Sequence, residues 1–411
     1  RRGRGRRGAA RDRAAELMAA TRVPLVADLV EAAEAAAFLA PRGLAARAGE
    51  LPLPCRTLFV PSAAAGVFPE PERNARSGAD SARGVWSAEC ADGLVAAGSA
   101  EALRAAAASW PAPRRAAARA ALDRYARPAQ RLRFADGETW DCARPRLMGI
   151  VNVTPDSFSD GGRHFAPKYA VEHALRLLDE GADILDFGAE STRPGSAPVD
   201  AAEEIRRLVP PLAELRRLRP GARISIDTRR AATARATLDE GADLINDIAG
   251  LGDAGMAELA AGRGVPVCVM HMRGEPGTMQ SDTRYDDLLG EVATFLAARA
   301  EAGRKAGIAD DRILLDPGLG FGKSAAGNED LLRRTRTLAG LGYPLLVGAS
   351  RKSFVGARTG VAAADRRLAG SLVAAAAAAC GGAAVVRVHD VAATREALAM
   401  AAALRPGAGG S

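Results

Sequence analysis

Apolar positions in the last two-thirds of the chain come in short uninterrupted runs, each followed by a stretch with helical periodicity. Runs without alternating polar residues are typical of strands buried on both faces of a parallel sheet. Eight such runs occur, at residues 147–153, 183–187, 223–227, 243–247, 265–270, 312–316, 345–348 and 384–389. The helical stretches lie near residues 167–180, 201–218, 230–239, 253–261, 285–306, 328–340, 365–380 and 391–404. This order predicts an α/β protein with a (β/α)₈ TIM barrel, and an open doubly wound sheet is the alternative.

The segment before residue 131 is rich in Ala, Arg and Pro and is patterned more weakly. Its sequence predicts helices near residues 25–39 and 100–109, a short strand at 58–60 and a loop at 69–84. Residues 131–134 and 139–141, on either side of Asp136 and Gly137, predict a small β-hairpin. We therefore divide the chain into a partly helical, poorly defined N-terminal extension of unknown role, residues 1–130, and a barrel, residues 131–411.

The formal charge of +7 is concentrated at the start of the chain, where seven arginines stand against one aspartate in the first thirteen residues. We expect a disordered basic start, either a leader or the remnant of a longer upstream segment, because the sequence does not begin with Met. The rest is nearly neutral, so no nucleic-acid partner is expected.

Cysteine usage and hydropathy indicate the compartment. The five cysteines are scattered and odd in number, which argues against a disulfide scaffold or a zinc site and favours a reducing environment. The most apolar stretch, residues 371–386, is too short and too weakly apolar to span a bilayer. A cytoplasmic protein without a membrane partner is the expectation.

Nearly every predicted strand ends on a polar side chain. In a barrel the carboxyl ends of the strands form one rim, and that rim holds the active site. A single buried polar group is often only structural, but buried charges are costly unless they are paired or used. The strand ends in phase are Asn152, Glu190 to Arg193, Asp227, Asn246 with Asp247, His271, Asp316, Ser350 to Lys352, and Arg387 with His389.

The types of these side chains suggest a ligand with two different ends. Asp227, Asn246 and Asp316 offer acceptors and an amide, which suits the donor-rich edge of an aminopyrimidinone. Lys352 is either a donor to the ligand or a partner for Asp316. The sequence therefore predicts a polar ring site on one side of the rim.

Cationic side chains predict an anion site at the same rim. Arg193, Arg387 and His389 are anion binders, and Arg grips a phosphate with two parallel hydrogen bonds. Asn152 and the small polar residues of the loop 154–162 supply oxygen ligands for Mg²⁺, which holds pyrophosphates through few protein groups. That loop and residues 192–195 are expected to act as lids.

Two other motifs are given structural interpretations. Gly322, Lys323 and Ser324 end like a P-loop, but Pro317 stands where that motif requires a glycine. His271 lies between two methionines and is expected to be a polar strand end rather than a metal ligand.

Residues 147–162 and 186–195 resemble the two opening signatures of the dihydropteroate synthases, which are pterin-binding barrel enzymes. Shorter resemblances follow in the family's order, and together they cover about two-thirds of the chain. Phe187 and Ala189 depart from the second signature without removing a functional group. The resemblance implies condensation of 6-hydroxymethyl-7,8-dihydropterin pyrophosphate with para-aminobenzoate, which yields 7,8-dihydropteroate and pyrophosphate in folate biosynthesis.

The resemblance also implies a role for each matching residue. The pterin ring would be held by Asp227, Asn246, Asp316 and Lys352, and the β-phosphate by Arg387 and His389. Asn152 would meet Mg²⁺ and the pyrophosphate. The para-aminobenzoate pocket would be shaped by Thr192, Arg193, Phe321 and Ser353. The catalytic residues would be Asp227, Asp316, Lys352, Arg387 and His389. The resemblance further implies a homodimer that packs through late barrel helices, and it implies that sulfonamides compete with para-aminobenzoate.

Two other functions share part of this pattern. A methyltransferase that passes a methyl group from methyltetrahydrofolate to a corrinoid uses a similar pterin edge, but it has no need of the phosphate-binding pair Arg387 and His389. A catalytically degenerate barrel acting as a binding subunit would be expected to have lost that pair or the lids. The sequence retains both features.

Overall fold

The chain forms two compact units. A computed structural model describes residues 23–29, 32–42, 44, 51, 55–61, 78–80, 85–90, 93–129, 131–153, 166–190 and 199–404. The first unit comprises Arg1–Ala129, Tyr285–Ala298 and Arg336–Gly342, and the second comprises Gln130–Arg284, Arg299–Thr335 and Tyr343–Ser411. Two segments from the later part of the chain therefore belong to the first unit.

The first unit is built on an antiparallel sheet. Its strands are β1 (Leu25–Leu29), β2 (Cys55–Pro61), β3 (Gly78–Asp80), β4 (Val85–Cys90) and β5 (Gly93–Gly98), in the order β1-β2-β5-β4-β3. Its helices include α1 (Ala32–Leu39), α2 (Ala100–Ala107) and α3 (Ala112–Ala126). Val26, Leu58 and Val60 of the sheet pack with Leu103 of α2 and Leu122 of α3 in one apolar cluster.

This sheet corrects part of the sequence-based expectation. The predicted helix over 25–39 is wrong at its start, because Leu25–Leu29 pairs with β2 as a strand and only Ala32–Leu39 is helical. The predicted loop over 69–84 contains strand Gly78–Asp80, and the rest of that range lies outside the described residues. The predicted helix near 100–109 and strand near 58–60 are confirmed.

Polar contacts within the first unit involve its two later segments. Arg42 is buried and pairs with Asp287 at 3.3 Å. Arg336 donates from Nε to the carbonyl oxygen of Tyr125 at 2.8 Å. The first unit is therefore completed by residues that are distant from it in sequence.

The second unit opens with a two-stranded hairpin and continues as alternating strands and helices. The strands are β6 (Arg131–Arg133), β7 (Thr139–Asp141), β8 (Arg146–Asn152), β9 (Ile184–Gly188), β10 (Ile224–Asp227), β11 (Leu244–Asp247), β12 (Val267–Met270), β13 (Ile313–Asp316), β14 (Leu346–Val347) and β15 (Val385–Val388). The remaining helices of the chain are α4 (Ala166–Asp179), α5 (Ala201–Leu218), α6 (Ala231–Asp239), α7 (Met256–Arg263), α8 (Leu288–Lys305), α9 (Ala325–Arg333), α10 (Thr335–Ala339), α11 (Ser353–Thr359), α12 (Leu368–Cys380) and α13 (Val391–Ala403). None of the helices in the described residues is long and apolar enough to cross a membrane.

Strands β8 to β15 form one parallel sheet that closes on itself. The order is β13-β12-β11-β10-β9-β8-β15-β14, and a parallel bridge between Leu315 and Leu345 joins its two ends. The strands are mostly apolar because side chains on one face fill the barrel and those on the other pack under helices. The predicted (β/α)₈ barrel is confirmed.

The hairpin β6–β7 closes the amino-terminal end of the barrel. Phe134 and Trp140 pack edge to face, with ring centroids 4.7 Å apart. They share an apolar cluster with residues near the starts of the strands, including Met148, Ile184 and Leu244. The hairpin therefore seals the end of the barrel opposite to the carboxyl rim.

We expect Phe134→Ala to cost about 3–5 kcal/mol of unfolding free energy, because it leaves a cavity under a fully buried ring. Urea denaturation of the purified protein measures this loss. Phe134→Leu is the matched control and should cost less than about 1.5 kcal/mol. A Phe134→Ala protein as stable as the wild type would show that the hairpin does not seal the barrel.

Candidate active site

Parallel strands bring the predicted polar residues to one rim. Asp227 ends β10 and lies opposite Asn246 of β11 in the sheet register. Asp316 ends β13, and Arg387 is the third residue of β15.

Arg387 joins two carboxylates at the centre of this rim. Its Nε donates to Oδ2 of Asp186 at 2.6 Å, and its Nη2 donates to Oδ2 of Asp227 at 2.9 Å. Asn246 donates from Nδ2 to the same Asp186 oxygen at 3.0 Å, and Ser225 donates to Oδ1 at 2.6 Å. The sequence predicted Arg387 as an anion binder, and the structure also makes it the counter-charge of the acidic cluster.

Asp316 and Lys352 form a second charged pair at the rim. Asp316 is buried and accepts the backbone N–H of Gly318 at 2.7 Å. Lys352 donates from Nζ to the carbonyl oxygen of Leu319, and this Nζ lies 4.7 Å from the centre of the Phe321 ring. The two charges therefore attract each other while each is also bonded to the loop after β13.

The loop after β13 is held by a buried lysine. Lys323 donates from Nζ to the carbonyl oxygens of His271, Gly318 and Phe321 at 3.3, 2.9 and 2.9 Å. Gly318 has a φ of +64°, and a Cβ there would lie 2.0 Å from the His271 carbonyl oxygen. Lys323 therefore stabilises this loop by binding its carbonyl oxygens, and the resemblance of the segment to a P-loop does not indicate a phosphate site.

His389 is fixed by Ser350. The Ser350 hydroxyl lies 3.0 Å from Nδ1 of His389 and accepts the backbone N–H of His389 at 3.2 Å. Burial, with the charge of Arg387 next in importance, lowers the pKa of His389 to about 3. The imidazole is therefore neutral near pH 7.

The pKa values of the cluster follow from burial. Burial raises the pKa of Asp227 against the opposing charge of Arg387, and it raises the pKa of Asp316 against the opposing charge of Lys352. Burial also lowers the pKa of Lys352 to about 8, although Asp316 opposes that shift. A ligand whose donors face these carboxylates would replace the missing water and restore their charged forms.

Several predicted residues lie at the edge of this cluster or beyond the described chain. Asn152 is exposed at the end of β8, and Ser353 is exposed at the start of α11. Phe321 is half-buried. Thr192 and Arg193 lie outside the described residues, as do the two predicted lids for most of their length.

Asp186 is the site residue that sequence reasoning missed. It is the fourth residue of the run 183–187 and the first residue of the second signature, and the resemblance implies no role for it. A carboxylate inside an otherwise apolar strand is costly to bury and is a usable signal for a site. Arg230 and Glu204 are not among the predicted residues either; Arg230 pairs with Glu204 and with the predicted strand-end residue Glu190, at 2.7 Å in each case.

Comparison with known proteins gives consistent matches for the barrel. The family described as "Pterin binding enzyme" matches residues 148–389. Dihydropteroate synthase of Escherichia coli (strain K12) is 45% identical over 265 residues, which is 64% of this chain and 93% of that protein. The structure of Xanthomonas albilineans dihydropteroate synthase with 4-aminobenzoic acid is 45% identical with a TM-score of 0.63, covering 68% of this chain and all of that one. A Yersinia pestis dihydropteroate synthase structure with a sulfonamide drug is 46% identical with a TM-score of 0.63, covering 66% of this chain and 98% of that one.

The low pKa of His389 predicts a specific loss of stability in acid. A histidine in the unfolded chain takes up a proton below about pH 6.5, whereas His389 in the folded chain does so only near pH 3. Stability should therefore fall as pH drops from about 6.5 towards 3, by at most about 1.4 kcal/mol per pH unit.

Urea unfolding at pH 7 and pH 5 measures this effect in the wild type and in His389→Gln. The variant should lose less unfolding free energy between the two pH values than the wild type does. Equal losses in both proteins would show that His389 is not held in its neutral form.

Proposed function

Because this chain belongs to the pterin-binding enzyme family and, within it, to the dihydropteroate synthases, we propose that the cluster around Arg387 is its pterin site. The chain is a transferase that joins 6-hydroxymethyl-7,8-dihydropterin pyrophosphate to para-aminobenzoate in folate biosynthesis. The observation that carries the site assignment is the convergence of Asp227, Asn246, Asp316 and Lys352 at one barrel rim.

We assign the pterin ring to the acidic side of the rim. Asp316 is a buried acceptor, Asp227 is a half-buried one, and the amide of Asn246 lies between them in strand order. A dihydropterin presents ring and amino N–H groups along its pyrimidinone edge, which pair with such acceptors. Lys352 supplies a donor for a ring oxygen or nitrogen. Hydrogen bonds inside a buried pocket set specificity, because a wrong ligand leaves these groups unpaired.

We assign the pyrophosphate to Arg387 and His389. The Nε and Nη2 atoms of Arg387 donate hydrogen bonds to carboxylates, whereas its Nη1 makes no hydrogen bond with the described residues. The Nδ1 of neutral His389 faces Ser350, so Nε2 is the nitrogen that remains for an anion. Together the two side chains can stabilise the negative charge that grows on the leaving group.

Mg²⁺ is the metal that fits this site. No group of three or more His, Cys, Asp or Glu side chains in the described residues could hold a metal by itself. Mg²⁺ usually takes one or two protein oxygens and fills its shell with waters and phosphate oxygens. We propose that Asn152 provides such an oxygen at the end of β8. When bound, the ion would neutralise part of the pyrophosphate charge.

We place para-aminobenzoate beside Phe321 and Ser353, with Thr192 and Arg193 completing the pocket. The Phe321 ring offers an apolar face to the arene, and the Ser353 hydroxyl at the start of α11 offers a polar contact. One of the related structures is a Yersinia pestis dihydropteroate synthase with a sulfonamide drug complex. We therefore propose that sulfonamides compete with para-aminobenzoate for this pocket.

The reaction breaks the C–O bond between the pterin methylene and pyrophosphate and forms a C–N bond with the arylamine. The electron-rich pterin can carry positive charge on the methylene as pyrophosphate leaves, and Asp227 and Asp316 stabilise that charge. The amine is neutral at pH 7 and needs placement rather than activation. It loses one proton after the C–N bond forms, and no covalent intermediate with the protein is required.

We also propose a functional division of the chain at residue 130 and a cytoplasmic location for the protein. We propose that residues 131–411 carry all of the chemistry, since each candidate residue lies there. A cytoplasmic location is supported by Cys55, Cys142, Cys268 and Cys380, which are free thiols in the described part of the chain.

A homodimer is supported by an exposed apolar surface on α12 and α13. Val373 of α12 is 71% exposed and Met400 of α13 is 60% exposed. Helix α12 carries no charged residue along its length. Apolar side chains grouped on neighbouring helices are typical of interfaces between subunits, so we propose that a second copy of the chain covers them.

The function is tested by product formation and by pterin binding. The wild type should form 7,8-dihydropteroate from the two substrates with Mg²⁺, and a chelator should suppress the reaction. Asp316→Ala and Asn246→Ala should each weaken pterin affinity by about 1–3 kcal/mol while both proteins keep their circular dichroism spectra. Unchanged pterin affinity in both variants would overturn the site assignment, and absence of product from the wild type would overturn the function.

The dimer is tested by Val373→Glu, which should halve the mass seen in sedimentation because it places a charge in the proposed interface. Tyr169→Glu is the matched control, since it introduces the same charge at another exposed apolar position, on α4. It should leave the mass unchanged. A single-chain mass for the wild type would refute the proposal.

A further inference from the structure

Asp186 is a fully buried carboxylate that the assigned substrate contacts do not include. It is the third residue of β9, its exposed fraction is 0%, and it lies opposite Ser225 of β10 in the sheet register. An aspartate at this depth is retained only if its hydrogen bonds offset the cost of burial. The contacts it makes therefore indicate what it is for.

The two oxygens of Asp186 have different partners. Oδ1 accepts the hydroxyl of Ser225, whereas Oδ2 accepts Nδ2 of Asn246 at 3.0 Å and Nε of Arg387 at 2.6 Å. One oxygen thus holds two side chains that come from strands β11 and β15. Asn246 belongs to the proposed pterin contacts and Arg387 to the proposed pyrophosphate contacts.

The bond to Asn246 fixes the direction of its amide. A carboxylate only accepts hydrogen bonds, so the amide nitrogen must face Asp186 and the amide oxygen must face away. The Asn246 amide is thereby held in one orientation, with its oxygen and its second N–H in fixed positions. Without a carboxylate at position 186, the two orientations of the amide would be much closer in energy.

The bond to Arg387 fixes the plane of its guanidinium. Nε is held by Asp186 and Nη2 by Asp227, and these two contacts define the plane of a rigid, planar group. The Nη1 hydrogens then point in one direction set by the protein. An arginine held at only one point would have to be ordered by the anion itself, which weakens binding.

An equally buried aspartate shows what a purely structural role looks like. Asp247 ends β11, also has an exposed fraction of 0%, and accepts the backbone N–H groups of Ala249 and Leu251, at 2.8 and 2.6 Å, with the charge of Arg299 also acting on it. It stabilises a turn and orients no side chain of the rim. The partners of Asp186 differ from those of Asp247 in kind, while burial and chemistry are the same.

We propose that Asp186 is a positioning residue that sets the polarity of both halves of the substrate site. It holds the Asn246 amide in one orientation for the pterin, and it aims Arg387 at the pyrophosphate. This inference rests on the proposed function. Its distinguishing feature is that one buried carboxylate couples the pterin contacts to the pyrophosphate contacts.

The test compares Asp186→Asn with Asp247→Asn, which is the same substitution at the same burial. Affinities are measured by calorimetry for two separate probes, 6-hydroxymethylpterin and pyrophosphate with Mg²⁺. Asp186→Asn removes the negative charge that anchors Arg387 and replaces one of the two acceptor oxygens by an NH₂ group, so both affinities should fall at least tenfold. In Asp247→Asn the thermal midpoint should fall while both affinities stay within threefold of the wild type.

The double variant Asp186→Asn with Asn246→Asp keeps the inference testable if the single variant fails to fold. The new amide at position 186 can donate to the new carboxylate at position 246, which still offers an acceptor to the pterin. Affinity for 6-hydroxymethylpterin should therefore recover to within tenfold of the wild type. Affinity for pyrophosphate should stay at least tenfold weaker, because Arg387 has lost its charged anchor.

Each other outcome has a definite meaning. If Asp186→Asn is less stable but binds both probes like the wild type, Asp186 is purely structural and the inference is overturned. Equal recovery or equal loss of both affinities in the double variant would also overturn it. If the wild type binds neither probe, the proposed function fails, and this inference fails with it for that separate reason.

Discussion

The guanidinium of Arg387 lies between the carboxylates of Asp186 and Asp227, and this balance of charge governs the carboxyl end of the barrel. A carboxylate removed from water costs several kcal/mol unless it is paired and hydrogen-bonded. The three groups belong to strands β15, β9 and β10, and Arg387 and Asp186 are 201 residues apart in sequence. The pairing is thus available only once the sheet has closed, which links folding of the barrel to assembly of the site.

The same balance leaves the site ready for a polar ligand. Two carboxylates share one guanidinium, and the raised pKa values of Asp227 and Asp316 reflect the water that burial has removed. A ligand edge rich in N–H groups supplies what these carboxylates lack. Because the acceptors are already held in place, binding does not have to order them, and preorganisation of this kind is a main source of selectivity.

The sequence was sufficient for the barrel and for the position of most rim residues, because buried parallel strands have a distinctive apolar pattern and most have a polar residue at or just after their ends. Asp186 was missed because its partners Asn246 and Arg387 come from distant strands, and only the closed sheet brings them together. The first unit was harder to predict. Strand β5 reads Gly-Leu-Val-Ala-Ala-Gly and has few strand-favouring residues, and Leu25–Leu29 runs into helix α1 with an apolar spacing that also fits a helix.

Because the hairpin β6–β7 packs at the amino-terminal end of the barrel, that end contributes stability while the carboxyl rim carries the candidate site. Phe134 and Trp140 add apolar burial at the end away from the rim, where no candidate substrate contact lies. The unfolding free energy gained at that end offsets the destabilising effect of charged, imperfectly paired groups at the carboxyl rim. During evolution, substitutions around Phe321 and Ser353, where we propose that the arylamine binds, can therefore accumulate while the chain stays above the threshold for folding. Resistance to a competing drug could arise in such an enzyme without loss of the fold.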